Sequence, residues 1–320
     1  MTVATVAIPL IVCAKNEERS IGASLSALLA ARRHAEERSA FTFEVRVVLD
    51  ETTDGTAEIV RRHPRVELLE SRGGKVEAQR TGLLRSPDAP FAVFCDADVQ
   101  PSEDALLALV TLLDTRPDVQ VATCALRPLP PRRRTLLAAA LHTYNLRRGF
   151  SSSRTWFNGK LFAMRTWEVP RRLALGSRTA QLAFDPFYDF DAGVLIDDVY
   201  LSRAVVRAHG SAAIAETEAG EVLFRAPETW RGMNRYYRRM RRELERLDTL
   251  FPETAAVHRR FGRRRADLLA RTPLRECMHY ALFSVALVAC KAAYVTERAW
   301  VRHIRRAPRS FWPPIEETKA

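Results

Sequence analysis

Short apolar runs that break off in acidic residues constrain this chain more than any other feature. The clearest is Phe91–Val99, F-A-V-F-C-D-A-D-V, in which an apolar run from Phe91 to Cys95 ends in Asp96-Ala97-Asp98. A run this short, with no polar alternation, fits a strand buried on both faces of a parallel sheet. Carboxylates at its carboxyl end lie where open α/β sheets bind ligands. Aspartates at i and i+2 can present oxygen to one hard cation and to a sugar hydroxyl beside it. Alone, D-x-D is more often an acidic turn than a metal site, so the weight falls on what surrounds it.

The same pattern precedes it twice. Val3–Cys13 reads as a first buried strand and is followed by Asn16-Glu17-Glu18. A helix over roughly 17–36 comes next, with Ile21, Leu25, Leu28 and Leu29 at helical spacing. Phe43–Leu49 reads as a second strand that ends in the acids of Asp50–Asp54, with Asp54 placed to cap a short helix to Arg62. Arg65–Leu69 reads as a third strand, and Gly73-Gly74-Lys75 opens a helix towards Leu84. After the fourth strand at Phe91–Cys95, Ser102 caps a helix through Leu113, and Val119–Leu126 is the fifth strand. This alternation predicts an α/β fold with a Rossmann-like, mostly parallel sheet flanked by helices. The clusters Cys13–Glu17, Asp50–Asp54 and Asp96–Asp98 then converge along one edge of that sheet.

Arg127–Arg134, R-P-L-P-P-R-R-R, interrupts the alternation; its prolines exclude helix and interior strand, so it reads as a linker. Beyond it, Thr135–Leu146 and Asp197–His209 read as helices, and Asn158-Gly159-Lys160 precedes a short apolar run. Pro186–Ile196 is aromatic and acidic, Glu221–Phe224 suits a strand, and Glu228–Leu250 suits a long, very basic helix. The chain divides at 1–126, 127–250 and 251–320, the last a helical, basic region. The net charge of +12 is mostly arginine beyond Pro130 and calls for an anionic partner: nucleic acid, acidic lipid or a phosphorylated substrate. A nucleic-acid-binding module would leave the strand-end acids unexplained, because they repel phosphate. A nucleotidyltransferase also needs acids and metal on an α/β sheet, but not a pair as far downstream as Asp197-Asp198. Cys13, Cys95, Cys124, Cys277 and Cys290 form no C-x-x-C and read as reduced thiols in a cytosolic setting, without a zinc site. The opening T-V-A-I-P-L-I-V-C lacks a basic n-region and a cleavage site, so it reads as strand and not as a signal peptide.

Four motifs in order resemble those of the inverting family 2 glycosyltransferases, of GT-A fold. C-A-K-N-E-E-R-S-I (Cys13–Ile21) resembles the family's opening strand and N-E-E turn. V-V-L-D-E-T-T-D-G-T (Val47–Thr56) is similar to its V-V-D-D-G-S-T-D-G-T, with Leu49 in place of the first aspartate of the pair. Cys95-Asp96-Ala97-Asp98 is similar to its D-x-D, and I-D-D-V-Y-L-S-R-A-V-V-R-A-H-G (Ile196–Gly210) to its E-D-x-x-L-x-x-R…G segment. G-K-V-E-A-Q-R-T-G (Gly74–Gly82) resembles G-K-x-x-A-x-N-x-G, with Arg80 where asparagine is frequent. R-Y-Y-R-R (Arg235–Arg239) stands where processive members carry Q-x-x-R-W, which favours transfer of a single sugar over polymer synthesis.

The resemblance implies a metal-dependent inverting transferase that moves one sugar from a nucleotide-sugar donor to a hydroxyl of a glycan or lipid-linked acceptor. It implies a donor-binding half over 1–126 and an acceptor-binding, catalytic half over 127–250. Cys13, Asn16 and Glu17 belong to the donor side. Asp50 would accept a hydrogen bond from a uracil N–H, which favours UDP, though a turn residue accounts for it equally well. Lys75, at a helix N-terminus after two glycines, suits a phosphate oxygen or else solvent. Asp98 would ligate Mg²⁺ or Mn²⁺, with Asp96 on the ribose or a metal-bound water. Asp198 is the candidate general base, its pKa raised by the neighbouring Asp197; the alternative is that both cap a helix. Arg235 and Arg238 are placed to meet diphosphate or an anionic acceptor. Cys277–Val295 reads as a core or interfacial helix in preference to a membrane span. The expected setting is the cytoplasm, with an anionic membrane surface as a further partner, peripherally on the inner face of the cell membrane, and no nucleic acid.

Overall fold

The computed structural model of the protein describes residues 6–149, 156–165, 196–261, 273–304 and 318–319. The expected acidic stretch over 186–196 lies, up to residue 195, outside the described residues. The first half follows the sequence pattern closely. Strand β1 (Val6–Ala14) leads into helix α1 (Ile21–Arg38), β2 (Phe41–Asp50), α2 (Thr56–Arg61), β3 (Val66–Ser71), α3 (Lys75–Leu83) and β4 (Phe91–Asp96). Beyond their first residues, most apolar residues of β1, β2 and β4 are almost fully buried, as strands covered on both faces must be. Helix α1 buries Ile21, Leu25, Leu28, Ala31 and Ala35, three or four apart, against the sheet.

The chain continues through β5 (Val99–Pro101), α4 (Ala105–Thr115), β6 (Val121–Pro128), α5 (Leu136–Gly149), β7 (Leu161–Arg165), α6 (Asp197–His209) and β8 (Ile214–Phe224). Three helices close it: α7 (Trp230–Leu250), α8 (Pro252–Phe261) and α9 (Cys277–Ile304). The eight strands form one sheet in the order β3-β2-β1-β4-β7-β6-β8-β5. From β3 to β4 the pairing is parallel. Beyond β4 it is mixed, because β7 runs antiparallel to both β4 and β6, and β5 antiparallel to β8. The α/β, GT-A-type architecture with helices on its flanks is therefore present, with a mixed far half.

Two local expectations differ. Strand β6 continues through Pro128 into the expected linker. Proline is tolerated there because β7 pairs β6 only at Val121–Thr123, so at Pro128 only the β8 side is bonded. Ser102 does not cap α4, which starts at Ala105 behind Asp104; its hydroxyl instead accepts the Glu221 N–H of β8 (2.9 Å).

Candidate active site

The three strand-end clusters meet at the carboxyl edge of the parallel half. The Lys15 ammonium reaches Asp50 (3.4 Å) and Glu51 (3.0 Å). Asn16 sits in the left-handed region (φ 55°), and its side-chain oxygen accepts the Thr53 N–H (2.8 Å). The Glu17 N–H donates to the Thr56 hydroxyl (2.8 Å), and its carboxylate accepts from Ser20 (2.6 Å) and pairs with Lys319 (3.0 Å). Burial, chiefly, raises the Glu17 carboxyl above its ordinary value. Asp50 is buried and accepts the Gly74 N–H (3.1 Å); Gly74 adopts φ +91°, a conformation that side chains disfavour. The Cys13 thiol donates to the Lys75 carbonyl (3.8 Å), and burial pushes its pKa up.

Lys75 stands at the centre. Its ammonium lies 2.6 Å from Asp96 Oδ1 and 2.9 Å from Asp197 Oδ1, so it joins the end of β4 to the start of α6. Burial opposes its charge, but Asp197 and Asp96 outweigh that and hold it well above the ordinary lysine range. A second ammonium, Lys160, approaches Asp96 Oδ2 (3.7 Å) and Asp98 Oδ1 (3.5 Å). It too is raised by Asp98 and Asp96 against burial. Lys160 is carried by the loop before β7. Asn158 ties that loop down by donating to Thr123 (2.9 Å) and the Cys124 carbonyl (3.1 Å), while the Asp96 N–H donates to the Lys160 carbonyl (2.8 Å).

The two aspartates that open α6 have opposite surroundings. Asp197 is 2 % exposed and takes both Lys75 and the Gln79 amide (2.7 Å). Asp198 faces a cavity of about 1170 Å³ that is also lined by Asp98, Lys160 and Arg239. It accepts the N–H groups of Gly159 (3.3 Å) and Val199 (2.9 Å). Burial first, and Asp197 second, raise its carboxyl to about 6. Gly159 is required here: a Cβ at that position would stand 2.9 Å from Asp198 Cβ.

The structure thus brings Asp50, Lys75, Asp96, Asp98, Asp197 and Asp198 together, with Cys13, Asn16 and Glu17 in the adjoining turn. It does not bring Arg238 with them, which forks onto Glu297 of α9 (2.6 Å through Nε); neither Arg235 nor Arg238 lines the cavity. Their neighbour Arg239 does line it, lowered by burial against the pull of Tyr236, Asp98 and Asp96. Sequence reasoning gave Lys160 no role, though it noted the N-G-K turn. A lysine after Asn-Gly ahead of an apolar run was the available signal. Gln79, one residue before Arg80 on α3, was missed as well.

Asp96 and Asp98 offer only oxygen, although each already faces an ammonium that a cation would have to share it with. That donor set suits a small hard cation completed by phosphate oxygens and water. Among the described residues, no three acids, histidines or cysteines group closely enough to hold a metal by themselves.

A sheet of this order with acids at its carboxyl edge fits the GT-A type of transferase, and the family match decides the class. The model of the family described as glycosyl transferase family 2 matches residues 10–175, more than half the chain, and the chain belongs to that family. It is accordingly a glycosyltransferase, and its reaction is glycosyl transfer. The nucleotidyltransferase and nucleic-acid-module readings, which acids and arginines also allowed, give way to it. Solved structures of glucosyl-3-phosphoglycerate synthase from Mycobacterium tuberculosis are similar in outline. The complex with phosphoglyceric acid is 17 % identical at a TM-score of 0.48, over 77 % of this chain and 79 % of that one. The complex with Mg²⁺ and uridine diphosphate is 18 % identical at 0.48, over 77 % and 79 %. No curated protein sequence matches the chain.

Proposed function

We propose that the protein is an inverting, metal-dependent transferase that moves a single sugar from a uridine diphosphate sugar to a hydroxyl of a glycan or lipid-linked acceptor. The observation that carries this reading is the Lys75 bridge. It ties Asp96, at the end of β4, to Asp197, which leaves Asp198 beside the cavity with a carboxyl raised to about 6. A base in that range holds its negative form at neutral pH while still accepting a proton readily.

Each residue then has a stated task. Asp50 accepts from the base of the nucleotide, with Asn16, Glu17 and Cys13 shaping the turn around it. Asp96 and Asp98 would hold Mg²⁺ or Mn²⁺, which would offset charge on the diphosphate. Lys160 and Arg239 add fixed positive charge where the leaving diphosphate gathers negative charge. Asp198 takes the proton as the acceptor oxygen bonds to the anomeric carbon, and the electron pair of the broken carbon–oxygen bond leaves with the diphosphate. Asp197 does not touch the acceptor in this scheme: its oxygens belong to Lys75 and Gln79. Arg235 and Arg238 are released from the donor role expected of them, and Arg238 braces α7 against α9. Residues 1–126 act as the donor half and 127–250 as the acceptor and catalytic half, with 251–320 resting against an anionic membrane surface on the cytoplasmic side.

The test is a titration of nucleotide diphosphates with and without Mn²⁺, by calorimetry, followed by donor hydrolysis. Uridine diphosphate should bind only with metal, and Asp98→Asn should remove turnover while keeping the melting temperature. Metal-independent turnover by that variant would sink the assignment.

A further inference from the structure

The cavity that meets Asp198 does not end at the charged cluster. It runs on past Tyr236 and Met240 into a wall made by Leu141, Tyr144, Met233, Tyr237, Phe283 and Leu287. Those side chains come from three helices, α5, α7 and α9, that lie outside the donor half. They form a packed apolar cluster of their own, in which the rings of Tyr144 and Phe283 stack at 3.7 Å between centroids. Apolar surface rewards contact with carbon chains, so such a wall suits an acceptor that carries hydrocarbon beside its hydroxyl.

The outside of α9 carries a second, separate feature. Met278, Val285, Val288, Val295 and Trp300 are all exposed by more than half. The spacing of Met278, Val285, Val288 and Val295 keeps them along one side of the helix, opposite the buried Phe283, Ala286 and Cys290. By length and composition Cys277–His303 could cross a bilayer, yet its inner side is packed on α5 and α7. A helix apolar on both sides, one towards a cleft and the other outward, can rest in a lipid surface and line the way from that surface to the cleft.

From the cavity that joins Asp198 to this apolar wall we propose that the acceptor is an amphipathic lipid alcohol. Its hydroxyl is offered to Asp198, and its hydrocarbon chain lies in the cleft between α5, α7 and α9, entering from the α9 side. The proposal rests on the reading of Asp198 as the base and deepens it by naming the acceptor class. The covalent step is the one already given: the lipid oxygen bonds to the anomeric carbon, its proton goes to Asp198, and the diphosphate departs with the electron pair.

The experiment measures binding of n-alkyl β-glucosides, from butyl to dodecyl and each below its micelle concentration, to the full chain saturated with uridine diphosphate and Mn²⁺. Affinity should rise about threefold to fourfold per added methylene and then level off once the cleft is filled. Leu287→Gln should flatten the series with nucleotide affinity unchanged. Met233→Gln, on the facing helix, serves as the second cleft variant should Leu287→Gln fail to fold. Val288→Lys, on the outer side, should leave the slope intact. A flat series in the unmodified protein overturns the proposal, as does a slope that survives the cleft variants or is abolished by Val288→Lys. Failure of uridine diphosphate itself to bind with Mn²⁺ would instead overturn the donor reading beneath it, and the two failures are told apart in the same titration.

Discussion

At the scale of single residues, the informative contrast is between two adjacent aspartates. Asp197 is matched by Lys75 and Gln79, whereas Asp198, among the described residues, accepts backbone N–H groups and faces the cavity. Asp198→Asn keeps the shape and removes the basicity, so kcat should fall on the order of a hundredfold or more while donor affinity, by calorimetry, stays near normal. In the unmodified enzyme kcat/KM should climb with pH up to about 6 and level above it, because the protonated carboxyl cannot act as base. The same shift has a sign for stability. The folded protein holds this proton up to about pH 6 and the unfolded chain releases it near 3.8, so this one carboxyl's contribution to stability is greatest at low pH and falls as pH rises through that window. Asp198→Asn should therefore melt at a higher temperature than the parent at pH 7, by the equivalent of about 1–3 kcal/mol. Lys75→Met should do the reverse. It strands the buried Asp197 carboxylate and should cost on the order of 3 kcal/mol in a denaturant titration, as loss of one partner of a buried pair does.

At the scale of elements, the loop before β7 fixes where Asp198 stands. Gly159→Ala would press a methyl against Asp198, and a misplacement on the order of 1 Å can cost a hundredfold in rate. The expected result is a lowered kcat with donor affinity held, read by steady-state kinetics beside calorimetry. These same elements mark how far the sequence could be read. Strands β1, β2 and β4 were legible because β1 and β4 are apolar runs, β2 ends in the apolar Val47–Leu49, and acid follows at Glu17, Asp50 and Asp96. Strand β8 was legible only at its end, because Glu216, Glu218 and Gly220 interrupt any apolar pattern before Glu221–Phe224. Strand β7 is five residues long, and its antiparallel place between β4 and β6 follows from packing that no local signal encodes. Asp96, Asp98 and Asp198 could be found because acids at strand ends and helix starts are conspicuous. Arg239 and Arg238 are neighbours in a uniformly basic run, and only the azimuth of α7 separates the one that lines the cavity from the one that braces α9.

At the scale of the whole molecule, the proposed contact with a lipid surface rests on positive charge and the exposed apolar outer side of α9. Binding to vesicles of acidic lipid should be measurable in a sedimentation assay and should weaken as salt is raised. Binding that resisted both salt and alkaline wash would mean a spanning helix instead. The place of β7 in the sheet bears on how the molecule is made. Strands β1 to β4 are complete early in synthesis, but the outer edge of β4 is filled only by β7, where Cys95 pairs with Leu161. Until then the apolar edge Phe91–Cys95 is an open template for the same strand of another nascent copy. Chains interrupted before Leu161 should scatter light as aggregates, and chains carried through Phe224 should stay dispersed. The strand whose leading loop carries Lys160 to the acids is thus also the one that shuts the growing sheet against its own kind.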